Sequence, residues 1–96
     1  MTHKVLISLG SNLGDRALNI KKAITLIQDQ LGDVFAISKL YETASWGYDD
    51  DSYLNNAICL VTKWAPLDLM SALLEIELKL GENAQIVCVT RLEPLI

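Results

Sequence analysis

Cysteine and histidine are scarce in this sequence, and their spacing excludes several kinds of site. The chain has two cysteines, Cys59 and Cys88, and one histidine, His3. The cysteines stand far apart, without C-x-x-C spacing or a neighbouring histidine, so neither a zinc site nor a disulfide framework is indicated. We expect buried thiols, and we expect His3 to lie at the surface or at a strand edge without a functional role.

Basic residues are also few, and they form no cluster. The 8 lysines and arginines stand against 12 aspartates and glutamates, which gives a net charge of −4. Nucleic acid and anionic membranes are not expected as partners, because both are bound through concentrated positive charge. An anionic substrate would need local positive groups.

Long apolar runs are absent. No window is long enough to cross a bilayer, and the residues before the first strand-like run lack the apolar stretch of a signal peptide. We therefore predict a cytoplasmic protein. Its 96 residues, 51% hydrophobic and 21% charged, fit one globular domain of modest stability.

The rest of the sequence alternates between strand-like and helix-like segments. β-Branched and apolar content predicts strands, and apolar residues at intervals of three and four predict amphipathic helices. The strands are Lys4–Leu9, Val34–Tyr41 and Asn56–Lys63, and the helices are Asp15–Leu31 and Ala65–Leu80. Gly32 and Gly81 are expected to end the two helices.

This order predicts an α+β fold of the ferredoxin-like kind, an α/β sandwich with helices on one face of the sheet. Such a fold is normally completed by one more strand. Residues 82–96 do not complete it convincingly, because Ile86–Thr90 is strand-like but the residues after it have no clear structure. The fold is therefore predicted as truncated, β-α-β-β-α followed by an atypical tail.

A polar and aromatic segment, Tyr41–Asn56, is predicted to be a long loop between two strands and the main candidate for a site. It combines tyrosine and tryptophan rings with hydroxyl and amide groups. Flat rings and a few donors and acceptors suit a planar heterocycle. A plain solvated connection is the alternative from composition alone.

Two further segments carry weaker signals. The glycine turn Gly10–Asp15 between a strand and a helix could hold an anion on free amides, with Asp15 capping the helix. It lacks the spacing of a phosphate loop or a dinucleotide fold, so a plain turn is the alternative. The consecutive Asp49–Asp51 are interpreted as solvated rather than as a metal site.

Four motifs together resemble the 6-hydroxymethyl-7,8-dihydropterin pyrophosphokinase family. They are Leu9–Arg16, Ser38–Thr43 with Trp46-Gly47, Tyr53–Asn55 before an apolar strand, and Ile76–Gly81. Each motif is weak alone, but their order and spacing between Val5 and Gly81 make the combination specific.

The resemblance implies an ATP-dependent transferase of folate biosynthesis. Members move the terminal diphosphate of ATP onto the hydroxymethyl group of a reduced pterin, using two magnesium ions. Carried over by motif, the pterin would be bound by Asn12, Thr43, Ala44, Ser45, Trp46, Tyr53 and Asn55, and Glu77 would help to hold ATP. Ala44 and Ser45 stand where many members carry prolines.

The metal-binding aspartates and phosphate-binding arginines of the family are missing after Gly81. Members carry Arg-x-Arg and then Arg-x-x-Asp-x-Asp, whereas this chain continues with Glu82-Asn83-Ala84-Gln85 and retains only Arg91. No metal ligand and no catalytic residue is therefore assigned. Diphosphoryl transfer depends on such groups for positioning and charge neutralisation.

The tail suggests a reason for this gap. Read out of phase from the Gly81/Glu82 junction, the degenerate code permits Arg-Lys-Arg-x-Asn-Ser-x-Cys-Tyr-x-x-Arg-Thr-Ile-Asp, which is close to the missing signature. We therefore divide the chain into 1–81, the N-terminal part of a pyrophosphokinase-like domain, and 82–96, a tail that a frameshift would explain.

Two functions are open from the sequence. One is pyrophosphokinase activity by family membership. The other is a catalytically inactive fragment that at most binds a pterin. We expect little or no turnover from this chain.

Overall fold

The computed structural model describes residues 2–43 and 52–91, with only the backbone of Glu82 and residues 87–91. The elements are β1 (His3–Ser11), α1 (Arg16–Gln30), β2 (Gly32–Ile37), β3 (Tyr41–Thr43), β4 (Tyr53–Thr62), α2 (Pro66–Leu80), the 3-10 helix Gly81–Asn83 and β5 (Gln85–Arg91). Two helices and a five-stranded antiparallel sheet confirm the predicted α+β class.

The strand order is compatible with a ferredoxin-like arrangement. The sheet runs β2-β4-β1-β5, and β3 pairs with β4 beyond the end of β2. Strand β4 thus lies between β1 and β2, the two strands that α1 connects, which is the split β-α-β pattern. Both helices have their buried residues against the same sheet.

The predicted strand Val34–Tyr41 is in fact two strands. Between the pairs Ile37–Ile58 and Tyr41–Asn55, three residues of one chain segment face two of β4. Ser38 bridges this bulge: its backbone N donates to the Ala57 carbonyl at 2.8 Å, and its Oγ accepts from the Ala57 N–H at 2.8 Å. An extra residue of this kind bends a strand and interrupts its ladder.

Strands β1 and β4 are longer than predicted, and β3 and β4 take up both ends of the segment predicted as a loop. Gly10 does not end β1, because it pairs with Asn55 of β4 and with Gln85 of β5. Strand β4 begins at Tyr53, opposite Thr43 of β3. The long loop predicted over Tyr41–Asn56 was therefore wrong at both ends, since cross-strand backbone pairing outweighs the polar side chains there.

The tail adds a strand to the sheet, over the residues that the sequence indicated as strand-like. Strand β5 pairs antiparallel with β1, from Val5–Arg91 to Gly10–Gln85, with a register shift beside Leu9. An open edge of β1 offers unpaired backbone groups, and a short strand can pair with them whatever its side-chain pattern. Residues 92–96 lie outside the described residues, and this pairing does not test the frameshift hypothesis.

A single apolar core lies between the helices and one face of the sheet. Its most buried members are Ile7, Leu9, Ile20, Ala23, Ile27, Ile58, Leu60, Leu73 and Ile76. Only one face of β1 packs against this core, since Leu6 and Ser8 on its other face are half-buried. Cys59 on the same face of β4 is also half-buried rather than enclosed.

The helix boundaries follow the predicted signals closely. The Asp15 side chain accepts from the Leu18 N–H at 3.1 Å and caps α1, while α2 begins at Pro66 and ends at Gly81 with φ 65°. On α1, Ala17 is exposed, and Asn19 is buried instead. Neither of these described helices has the length and apolar content needed to span a bilayer.

Gly32 has a different role from the one predicted. It opens β2 with φ 154° rather than ending α1, whose last N–H bond is made by Leu31. A Cβ at this position would lie 2.1 Å from the Val61 carbonyl oxygen. Only glycine allows β2 to approach β4 this closely.

Candidate functional site

An open cavity of about 680 Å³ lies at one end of the sheet. Three parts of the chain form its walls: the turn after β1, the start of β4, and α2 with the residues that follow it. The lining residues are Asn12, Leu13, Tyr53, Leu74, Glu77, Leu78, Gly81, Ala84 and Gln85. The structure thus brings together Asn12, Tyr53 and Glu77, which the sequence analysis assigned to two different substrates.

Buried polar contacts fix the turn that carries Asn12. Asn19 Nδ2 donates to the Leu13 carbonyl at 2.7 Å and to Ser11 Oγ at 3.3 Å. Ser11 Oγ in turn donates to the Asn83 carbonyl. Because Ser11 and Asn19 are buried, these bonds tie the turn to the segment after α2 and hold two walls of the cavity together.

Glu77 connects α2 to the last strand. Its Oε1 accepts from the Ile86 backbone N–H at 3.2 Å, and its side chain is half-buried in the cavity wall. Nearby, Tyr53 Oη donates to Gln85 Oε1 at 3.4 Å. The β5 segment, which the sequence analysis left aside as atypical, therefore shapes this site, and Gln85 is a lining residue that sequence reasoning missed.

The paired ends of β3 and β4, the β3–β4 tip, present three of the predicted pterin residues on one face. Thr43 pairs with Tyr53, and Asn55 pairs with Tyr41; directly paired residues share a face of a sheet. Asn55 Nδ2 donates to Thr43 Oγ1 at 2.8 Å. Tyr53 lines the cavity, whereas Thr43 and Asn55 are not among its described lining residues.

The opposite side of the β3–β4 tip carries an ionic contact that the sequence analysis missed. Arg16 Nη1 donates to the Ser52 carbonyl at 2.8 Å and to Ser52 Oγ at 3.3 Å, and Arg16 Nη2 lies 3.5 Å from Glu42 Oε1. Ser52 Oγ donates to Glu42 Oε2 at 2.9 Å. The hydrogen bond from Ser52, followed by the bond and charge of Arg16, lowers the pKa of Glu42.

One sequence signal could have pointed to this contact. Arg16 is the first residue of α1, and a cation is unfavourable at the positive end of a helix dipole. A cation in that position is best explained by an acidic partner elsewhere in the chain. Periodicity cannot identify that partner, because the residues come together only through the sheet.

Several predicted site residues fall outside the described ranges. Ala44, Ser45 and Trp46, assigned to the pterin, belong to this group. Asp49–Asp51, interpreted as solvated, also lie outside the described residues. Within residues 2–43 and 52–91 no three His, Cys, Asp or Glu side chains form a group that could hold a metal ion. Among the described lining residues of the cavity, Glu77 is the one carboxylate.

The cavity has the size and chemistry of a small-molecule site in an α+β domain. Its volume lies within the range of about 300–1,000 Å³ usual for such sites. Tyr53 offers an aromatic face, the leucines of α2 offer apolar surface, and Asn12, Gln85 and Glu77 offer polar groups.

Comparison with known proteins identifies the family. The model of the 7,8-dihydro-6-hydroxymethylpterin-pyrophosphokinase family matches residues 6–92. The chain belongs to this family, as its motifs predicted, and the match continues beyond Gly81 into the last strand.

Individual relatives agree with this assignment. The chain is 36% identical over 80 residues to a 2-amino-4-hydroxy-6-hydroxymethyldihydropteridine pyrophosphokinase of Porphyromonas gingivalis, covering 82% of this chain and 54% of the relative. It is 33% identical over 88 residues to the protein of the same name from Bacillus subtilis, covering 90% and 53%. A mitochondrial folate synthesis bifunctional protein of Pisum sativum is 39% identical over 81 residues, covering 83% and 16%. The chain thus spans about half the length of these bacterial relatives.

Proposed function

We propose that this protein serves the reaction for which its family is named, the transfer of diphosphate from ATP to 6-hydroxymethyl-7,8-dihydropterin in folate biosynthesis. The observation that carries the proposal is one cavity lined by Asn12, Tyr53 and Glu77. A transferase must hold its two substrates side by side. Residues assigned by motif to the pterin and to ATP are adjacent here, although they come from distant parts of the chain.

The pterin would lie toward the β3–β4 tip. Tyr53 supplies a ring against which a planar heterocycle can stack. Thr43 and Asn55 supply a hydroxyl and an amide on the same sheet face, and Asn12 supplies an amide from the turn after β1. Ala44, Ser45 and Trp46 join this set through the family motif alone.

The nucleotide would lie toward α2. Glu77 is the polar group on that wall, and Leu74 and Leu78 place apolar surface beside it. Kinase families generally use Mg²⁺, which is bound through one or two carboxylates together with substrate phosphates. The described residues offer one carboxylate to the cavity, so they do not fit the two-ion site that the resemblance implies.

The same lining residues favour a second function, pterin binding without turnover. Among the described lining residues there is no arginine or lysine to neutralise phosphate charge. Phosphoryl transfer depends almost entirely on such neutralisation and on positioning. We therefore expect little or no turnover from the 96-residue chain, and we expect pterin affinity to persist.

One titration separates the two functions. The full chain is mixed with ATP, magnesium and a pterin, and both product formation and heat of binding are measured. Turnover supports the pyrophosphokinase, whereas pterin binding without nucleotide binding supports the inactive module. Tyr53→Leu should abolish pterin binding, and Phe35→Leu, at an exposed aromatic residue of β2 outside the described cavity lining, is the matched control. Absence of all binding would contradict both functions.

Two further predictions accompany this proposal. The division at residues 81 and 82 is tested by the nucleotide sequence: a second frame that does not continue into a family-like half contradicts the frameshift. Location in the cytoplasm stays a prediction, to be checked by fractionation.

A further inference from the structure

We propose that Arg16, Glu42 and Ser52 form a positioning clamp that holds the β3–β4 tip in the shape its pterin-binding face requires. The name of the ligand rests on the proposed function. The clamp itself rests on contacts between described residues of α1, β3 and the residue before β4.

The first step of the argument is the position of the clamp. Side chains alternate between the two faces of a strand. Glu42 lies between Tyr41 and Thr43 in β3, so it points away from the face that carries Thr43, Tyr53 and Asn55. The clamp therefore lies directly behind the candidate binding residues and does not line the cavity.

The second step is the shortness of the element that the clamp supports. Strand β3 has 3 residues and, among the described strands, pairs with β4 alone. Its residues are all exposed, so no core packing fixes it in place. Polar contacts are then what defines its position relative to β4 and α1, and the bond from Asn55 to Thr43 depends on that position.

The third step is the geometry of Arg16. The two terminal nitrogens of its guanidinium contact different partners: Nη1 binds Ser52, and Nη2 faces Glu42. Ser52 closes the triangle by donating to Glu42. A rigid planar fork can span both chain segments, which the single ammonium of a lysine cannot do in the same way. The arginine thus ties the end of β3 and the start of β4 to the first turn of α1.

In this ion pair Glu42 is exposed and Arg16 is half-buried. A pair at the surface adds little to global stability, so the expected effect is local. Arg16→Gln should weaken pterin affinity by about fivefold, the upper end for an exposed ionic contact, and should leave the melting temperature nearly unchanged. Arg16→Lys should recover only part of the loss. Lys22→Gln removes the same charge from α1 at an exposed site outside the clamp, and it should bind like the parent.

The experiment combines pterin titration with amide exchange of the free protein. Arg16→Gln, Glu42→Gln and the double variant are measured with 6-hydroxymethyl-7,8-dihydropterin as the probe. If the clamp acts as a unit, the double variant should bind the pterin no more weakly than the single variant with the lower affinity. Additive losses, or parent-like affinity in Arg16→Gln, would overturn the inference.

Amide exchange at the β3–β4 tip tests the clamp independently of the proposed function. The backbone amides of the β3–β4 tip should exchange faster in Arg16→Gln than in the parent. In Lys22→Gln their exchange rate should match the parent's. If the parent binds no pterin, the proposed function fails and this exchange decides the clamp. Unchanged exchange in Arg16→Gln would then refute it.

Discussion

Glu77 combines a structural contact with a place in the cavity wall, and two substitutions separate these roles. Its Oε1 accepts from the Ile86 backbone N–H at 3.2 Å, which joins α2 to β5. Glu77→Gln retains a side-chain oxygen for this bond and removes the charge. Glu77→Ala removes both, so the Ile86 N–H loses its partner.

The expected loss in the free energy of unfolding follows from the geometry of that bond. Leaving a buried donor unsatisfied costs about 1–3 kcal/mol. The bond is long at 3.2 Å and only partly buried, so the lower end applies. We expect Glu77→Ala to lower the free energy of unfolding by about 1–1.5 kcal/mol and Glu77→Gln by less than about 0.5 kcal/mol.

Urea unfolding followed by fluorescence measures this difference. For a domain of this size, about 1 kcal/mol corresponds to a midpoint shift of about 1 M urea. Glu75→Ala, an exposed glutamate of the same helix, controls for removal of an acidic side chain from α2. Nucleotide affinity should fall about tenfold in both Glu77 variants if the charge serves the ligand. Equal stability of Glu77→Ala and Glu77→Gln would refute the structural role, and unchanged nucleotide affinity would refute the ligand role.

Three other predictions address the sheet, the candidate site and pH. Gly32→Ala should destabilise the fold by about 2–4 kcal/mol in chemical unfolding, because the new Cβ would meet the Val61 carbonyl at 2.1 Å. Asn55→Ala should weaken pterin affinity about tenfold in calorimetry, because it removes an amide from the binding face. The pKa of Glu42 is lowered in the fold, so its contribution to stability is present above its ordinary value of 4.5 and is lost as pH falls through the lowered pKa.

Each of these has a control or a contradicting outcome. Gly14→Ala also changes a glycine at positive φ, but its Cβ would come no closer than 3.9 Å to a neighbour, so it should cost only about 1–2 kcal/mol. For Asn55→Ala the control is a melting curve, which checks that the variant remains folded and that its affinity reports on the pterin. For Glu42, the stability difference between the parent and Glu42→Gln should shrink as pH falls below 4.5, because the lowered pKa is then approached; a difference that does not change with pH would contradict the assignment.

Motifs could assign residues to a candidate site, and those assignments stay predictions, but motifs could not give the arrangement of the residues. Thr43, Tyr53, Asn55 and Glu77 were assigned from short sequence patterns, and the structure places the first three on one sheet face and Glu77 beside Tyr53. Patterns could not show that Thr43 and Asn55 lie outside the cavity lining. The contribution of Gln85 also depends on β5 pairing with β1, which no local signal encodes.

The sequence by itself determined the family, both helices, their starts and the end of α2. Apolar residues at helical spacing, a capping Asp15 and the first-turn Pro66 are local features whose effect does not depend on distant partners. Tertiary structure alone decided the strand ends, the break after β2, the use of Gly32 for close approach, and the contacts of Arg16. These depend on backbone groups and charges far apart in the chain, and such groups acquire a definite register only when the sheet assembles.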